Sequence, residues 1–134
     1  MQPFAAIATA AKWYHLVWPI RRHEQVFKIP ATARFCERAI RAACETAGWN
    51  PDRVVVRAAR VEVLVRAGSS RSRTEVTRTL QHATLTHLRL GGFLDPRAPP
   101  PWEGHGWCAV VTRHRALLVL RSRLDMDVRR TLAP

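Results

Sequence analysis

The chain has 134 residues, 47% of them hydrophobic. That is enough for one domain with a real core, and it excludes wholesale disorder. Lys and Arg number 22 against 10 Asp and Glu, a formal net charge of +12, so the physical expectation is a polyanionic partner, whose phosphates release counterions when neutralised. The cations are mostly arginine, as a GC-rich genome would also produce, but such a genome does not account for the excess of positive over negative charge.

No apolar run reaches membrane-spanning length, and no membrane partner is expected. The opening "MQPFAAIATAAKWYHLVW" has no basic residue ahead of its apolar part and does not read as a signal peptide. The three cysteines, Cys36, Cys44 and Cys108, are odd in number and widely spaced, which suits neither a disulfide framework nor a zinc site. A reducing cytoplasm is the expected location, with association to the nucleoid left open as an alternative.

Taken in chain order, "KWYHLVW" (Lys12 to Trp18) is aromatic and β-branched and predicts a strand. Pro19 ends it, and "IRRHEQVF" follows as a basic loop or strand extension. Pro30 to Gly48 predicts a helix with a broad apolar face and Gly48 as its terminator. Strands are predicted over Arg53 to Arg57 and Arg60 to Arg66, antiparallel because their connection is so short. Ser72 to Gly92 is the clearest helix. It opens on a capping box of Ser72 and Glu75 and closes on Gly91 and Gly92. "DPRAPPPWEGHG" is a proline-rich loop. Trp107 to Leu120 reads as a β-hairpin turning near Arg113 and His114. A short final helix is predicted to open on Ser122 and Asp125, with Leu124, Val128 and Leu132 on one side. There Asp125 and Asp127 near the start, and Arg129 and Arg130 near the end, suit the helix dipole. The predicted class is α+β: a single domain over residues 1–134 with a ferredoxin-like antiparallel sheet and helices packed on one face.

"YHLVWPIRRHEQVF" (Tyr14 to Phe27) resembles the opening strand of the single-tyrosine HUH transposases of insertion sequences 200 and 605 and of the REP-associated tyrosine transposases, whose pattern is roughly YHLVWxxKYRRxVF. "PWEGHGWCAVV" (Pro101 to Val111) resembles the family's LWxxGYFVxxV segment, and the likeness runs from about Trp13 to Val111. It implies the family's fold, a homodimer joined through a sheet edge, and a hairpin or imperfect palindrome, in DNA or structured RNA, as target. In the family, two histidines in a D-H-V-H-L-L-V strand bind a divalent metal beside a tyrosine that attacks the scissile phosphate. By this resemblance Arg60 stands at the first histidine and Glu62 at the second. Arginine cannot ligate a metal. The family's tyrosine lies in the helix after the last aromatic strand, whereas the only tyrosine here is Tyr14, in the first. The resemblance therefore implies a non-catalytic relative, with no enzyme activity, no metal and no cofactor.

Arg60 and Glu62 read either as an exposed charge pair or as a site where Arg60 contacts phosphate in place of the metal. Arg78, His82 and Arg89 share one side of the second long helix, either as a solvated face or as a stripe along a nucleic-acid backbone. The family's own basic residue there falls at Gln81. Arg21, Arg22, Arg66, Arg71 and Arg73 are candidates to frame a phosphate channel, or are solubilising charges. Six histidines offer no pair with ligand spacing, and His15 is expected to point opposite to Tyr14. Of the five tryptophans, Trp102 is expected to be exposed. The partner read from these features is nucleic acid, DNA rather than RNA. Two other readings stay open: an adaptor subunit of a larger assembly, and a residual nuclease using Glu62.

Overall fold

The structure, a computed structural model, describes residues 11–68 and 71–132, with side chains through residue 128. The reading of the extreme N-terminus falls outside these residues.

β1 (Ala11–Pro19) sends Tyr14, Leu16 and Trp18 into the core and Trp13, His15 and Val17 to the other side, as the two-residue period of a strand requires. After a turn and a short 3-10 helix (Val26–Lys28), α1 (Pro30–Ala47) begins with proline in its first turn, where the fixed φ suits a helix and no amide hydrogen is missed. Gly48, at φ 79°, ends it. The Gly48 and Trp49 amides close onto the Glu45 and Cys44 carbonyls at 3.0 and 2.8 Å, satisfying carbonyls that the last turn leaves open. β2 (Asn50–Val56) and β3 (Arg60–Gly68) form the expected antiparallel pair. α2 (Arg73–Leu90) opens on the expected cap: the Glu75 amide donates to Ser72 Oγ at 3.1 Å.

β3 pairs with β1 from Ala11↔Gly68 to Pro19↔Arg60, and β4 (Trp107–Val111) pairs with β1 on its other side. The sheet order is β2-β3-β1-β4, antiparallel throughout. This is the split βαβ arrangement, with β3 inserted between β1 and β2.

One expectation is corrected. Trp107 to Leu120 is not a hairpin: the strand stops at Val111 and the chain enters α3 (His114–Leu132). Ser122 and Asp125 therefore lie inside α3 rather than at its cap. Leu117, Leu120 and Leu124 recur at helical spacing, and Leu117 and Leu124 bury against Val55 and Leu64. The α+β class stands, but α3 covers the face of the sheet opposite to α1 and α2. The larger core, with Val61, Val63 and Val65 fully buried, lies on the α1 and α2 side. The predicted placement of Leu132, Arg129 and Arg130 falls outside the described side chains.

Candidate functional site

β3 alternates its side chains between two environments. Val61, Val63 and Val65 enter the larger core, while Glu62 and Leu64 face α3. Glu62 is only 3% exposed, so the carboxylate of the expected exposed pair is buried, while the Arg60 side chain stays 39% exposed. Arg60 Nε donates to Glu62 Oε1 at 2.6 Å. Arg123, from α3, donates through Nη2 to Oε2 at 2.6 Å and through Nη1 to Oε1 at 3.1 Å. His15 Nε2 lies 2.9 Å from Oε2. One turn along α3, Asp127 accepts from Arg123 at 3.4 Å and pairs with Arg57 and Arg60 at 3.4 and 3.7 Å.

Three guanidiniums, two carboxylates and an imidazole thus fill the space between β3 and α3. Burial pushes the Glu62 carboxyl up. The hydrogen bonds from His15, Arg123 and Arg60 more than reverse this and hold it well below the usual carboxylate range. A carboxylate buried this deeply persists as an ion only because it is fully paired.

This is the place where the resemblance puts a divalent metal, and the residues present do not fit one. Both Glu62 oxygens are taken by cationic or N–H donors, and two guanidiniums stand where a cation would sit. Among the described residues no group of three or more His, Cys, Asp or Glu side chains is placed to hold a metal ion. Tyr14 faces the other way: it is fully buried, its hydroxyl donates to the Arg71 carbonyl, and burial raises its pKa. His15 points opposite to it, as expected, and meets the Trp107 ring edge-on at 5.1 Å.

α3 is held across the sheet by further ion pairs. Arg53 Nε donates to Asp125 Oδ1 at 2.6 Å, and Arg121 donates to both Asp52 oxygens at 2.9 and 3.1 Å. Arg121 and Arg66 lie over the Trp13 ring at 4.8 and 5.8 Å. Asp125 and Asp127, read in sequence as helix-dipole residues, therefore act as partners of sheet arginines.

The predicted basic residues do not share one channel. Arg21 and Arg22 follow the Pro19↔Arg60 end of the β1–β3 ladder, whereas Arg66, Arg71 and Arg73 lie at the Ala11↔Gly68 end, about 27 Å away at 3.4 Å per residue. Several are already engaged. Arg60 is paired as above, Arg71 bonds Glu75 at 3.3 Å, and Arg21 sits 3.9 Å from Glu24 and 3.4 Å from the Pro99 carbonyl. Arg89 donates to the Ala98 carbonyl at 2.7 Å. Arg21 and Arg89 thus tie down the proline-rich loop. Arg22, Arg66, Arg73, Arg78 and His82 have no carboxylate partner among the described residues, and Arg78 and His82 are exposed on α2. Gln81 turns inward and donates to the Gly104 carbonyl at 3.3 Å. Trp102 is buried against Trp18 at 5.1 Å, so the expectation of its exposure is corrected. Trp107 is the tryptophan at the surface, 53% exposed.

Arg123, Asp127 and Arg57 were not among the sequence candidates. Their one signal is the Arg123–Asp127 spacing of four, legible only once α3 is known to be a continuous helix.

No protein-family model matches the sequence, and a search of curated proteins gives no match. Solved structures do match. The crystal structure of a candidate transposase from Deinococcus radiodurans R1 superposes with a TM-score of 0.60 at 17% identity, over 89% of this chain and 92% of that one. The structure of a REP-associated tyrosine transposase bound to a REP hairpin superposes with a TM-score of 0.65 at 8% identity, over 91% of this chain and 68% of that one. The chain has the single-tyrosine transposase fold. Within that fold, Glu62 and its arginines occupy the middle of the sheet face that α3 covers.

Proposed function

We propose that this chain binds structured nucleic acid, DNA rather than RNA, and does not cut it. The observation that carries the non-catalytic part is Glu62: buried, and with both oxygens occupied by Arg60, Arg123 and His15. A site closed by ion pairs offers neither a metal seat nor room for a scissile phosphate. The net charge of +12 supports a polyanion as partner. The hairpin held by the REP-associated transposase supports a hairpin as the first probe. Arg22, Arg66, Arg73, Arg78 and His82 are the proposed contacts, because they keep charge or hydrogen-bonding capacity that no carboxylate among the described residues has taken. Arg60, Arg71, Arg21 and Arg89 hold the fold. Three free thiols support a reducing, cytoplasmic location.

The test is fluorescence anisotropy of the full chain against a DNA hairpin, a single strand and a duplex, titrating salt, with and without magnesium. The expected result is hairpin preference, a steep loss of affinity with salt, no effect of magnesium and no cleaved product. Magnesium-dependent nicking removed by Glu62→Ala would overturn the proposal in favour of a residual nuclease.

A second reading is favoured by a specific observation. Leu118, Val119 and Met126 are 49, 65 and 49% exposed on the outer side of α3, and apolar groups clustered on one helix mark a protein contact. In this reading the chain is an adaptor subunit of a larger assembly, and the homodimer through a sheet edge belongs to it. Flat, nonspecific oligonucleotide binding with co-purification of a defined protein would decide for it.

A further inference from the structure

A cavity of about 550 Å³ opens between α1 and α3 beside the end of β2, within the range of about 300–1,000 Å³ that small-ligand sites occupy. Val54, Val55 and Val56 close its bottom and are 3, 5 and 9% exposed, so a ligand there meets the side chains of the walls rather than the main chain. Those walls are apolar and come from three elements: Phe27 of the 3-10 helix, Pro30 and Ala33 of α1, and Val128 of α3. Val54 and Val56 pack on the α1 side and Val55 on the α3 side. The two helices therefore stand apart where β2 ends the sheet.

The charged groups that line the cavity divide by whether they are already used. Glu37 pairs with Arg41 at 3.4 Å, and Arg57 pairs with Asp127 at 3.4 Å. Lys28 and Arg34 also line it, are exposed, and have no carboxylate partner among the described residues. Lys28 ends the 3-10 helix and Arg34 lies in the second turn of α1, so both uncompensated cations belong to the α1 side, across from Val128. An apolar interior beside two unused cations fits one ligand chemistry. A neutral apolar molecule leaves the cations unused, and a small inorganic anion leaves the apolar walls in water.

We propose that this cavity binds a free amphipathic organic anion, a small molecule with an apolar chain or ring and a single carboxylate. Its apolar body lies against Pro30, Ala33 and Val128, and its carboxylate meets Lys28 and Arg34. The apolar contact supplies most of the affinity, because ion pairs made by exposed side chains contribute little. The two cations supply the choice of an anion over its neutral analogue. None of Arg22, Arg66, Arg73, Arg78 and His82 lines the cavity, so this site is separate from the proposed nucleic-acid contacts and stands or falls independently of them.

The test uses the full chain labelled with nitrogen-15, titrated with decanoate below the concentration at which it forms micelles. Octanoate, acetate and decanol serve as controls. The expected result is saturable binding of decanoate, with amide shifts centred on residues 27–34, 54–58 and 128. Octanoate is expected to bind about fivefold more weakly or worse, since two methylenes leave the walls. Decanol is expected to bind several-fold more weakly than decanoate, and acetate not to bind. The double variant Lys28→Glu with Arg34→Glu changes only exposed side chains. It is expected to weaken decanoate about fivefold or more while leaving decanol unchanged, with the rest of the spectrum in place. Equal binding of decanol and decanoate, binding of acetate as tight as decanoate, shifts centred elsewhere, or no saturation would overturn the proposal. So would binding to phosphatidylglycerol vesicles through these residues without any response to free decanoate, which would assign the surface to a lipid bilayer.

Discussion

Arg123 of α3 grips Glu62 of β3 with two nitrogens, at 2.6 and 3.1 Å, across 61 positions of sequence. This pair joins the third helix to the centre of the sheet, and Arg60 and His15 complete it from the neighbouring positions. Its geometry is bidentate, the form in which guanidinium and carboxylate bind most strongly.

Arg123→Ala leaves a buried carboxylate short of its principal partner. Fully buried pairs cost about 3–5 kcal/mol when one member is removed. The Arg123 side chain is 44% exposed, so the expected loss is about 2 kcal/mol. The double variant Arg123→Ala with Glu62→Leu is expected to be more stable than Arg123→Ala alone, because it removes the orphaned charge. Urea unfolding of the set measures this, and a double variant less stable than the single would contradict it.

The same pair predicts a pH dependence. The Glu62 carboxyl is depressed in the folded chain, while in the unfolded chain it titrates near about 4.3. Its contribution is therefore present in full above the unfolded value and is lost as pH falls toward the folded one. The stability gap between the natural chain and Glu62→Gln is expected to shrink as pH falls below about 5. Thermal unfolding across that range measures it, and a gap that widens in acid would show that the carboxyl is not held ionised.

Gly106 sits at φ 66°, and a Cβ there would come within 2.3 Å of the Val17 carbonyl oxygen. Gly106→Ala must displace the start of β4 from β1, at an expected cost of about 2 kcal/mol or more. The Gly104→Ala variant shares a positive φ but meets nothing within 4 Å, so it is expected to cost less. A comparison of the two melting temperatures separates close approach from backbone preference.

Burial pushes the Cys36 thiol far up and the Cys44 thiol up to about 12, and it raises the half-buried Cys108 as well. Because the thiolate is the reactive form, Cys108 is expected to label first with a disulfide reagent. Cys36 and Cys44 are expected to react only on unfolding. Mass spectrometry of partly labelled protein checks the order.

The arginines are predicted to divide into two groups. Arg66→Ala, Arg73→Ala and Arg78→Ala are each expected to weaken hairpin binding a few-fold and lower the salt slope by about 1. Arg21→Ala and Arg89→Ala, which release carbonyls of the proline-rich loop, are expected to lower thermal stability while leaving the salt slope unchanged. Affinity at several salt concentrations, beside a melting curve for each variant, distinguishes the groups.

Much of the fold was legible locally. The aromatic, β-branched run of β1, the alternating valines of β3, the Ser72–Glu75 cap and the Gly48 stop each specify their own element, because period and capping act over a few residues. Two features were not legible. "RALLVL" is apolar enough to serve as strand or helix. Only the bare sheet face presented by Val55 and Leu64, waiting for Leu117 and Leu124, decides for α3. Likewise no local pattern says that Glu62 is buried or that Arg123 reaches it, since that contact exists only after a helix near the chain's end crosses strands from its middle. The sequence by itself determined the charge of this protein, its first three strands, its first two helices and the residue types at the centre of the sheet. Tertiary structure alone decided which of those charges neutralise one another and which remain for a partner, because pairing depends on distances between segments that sequence separation does not encode.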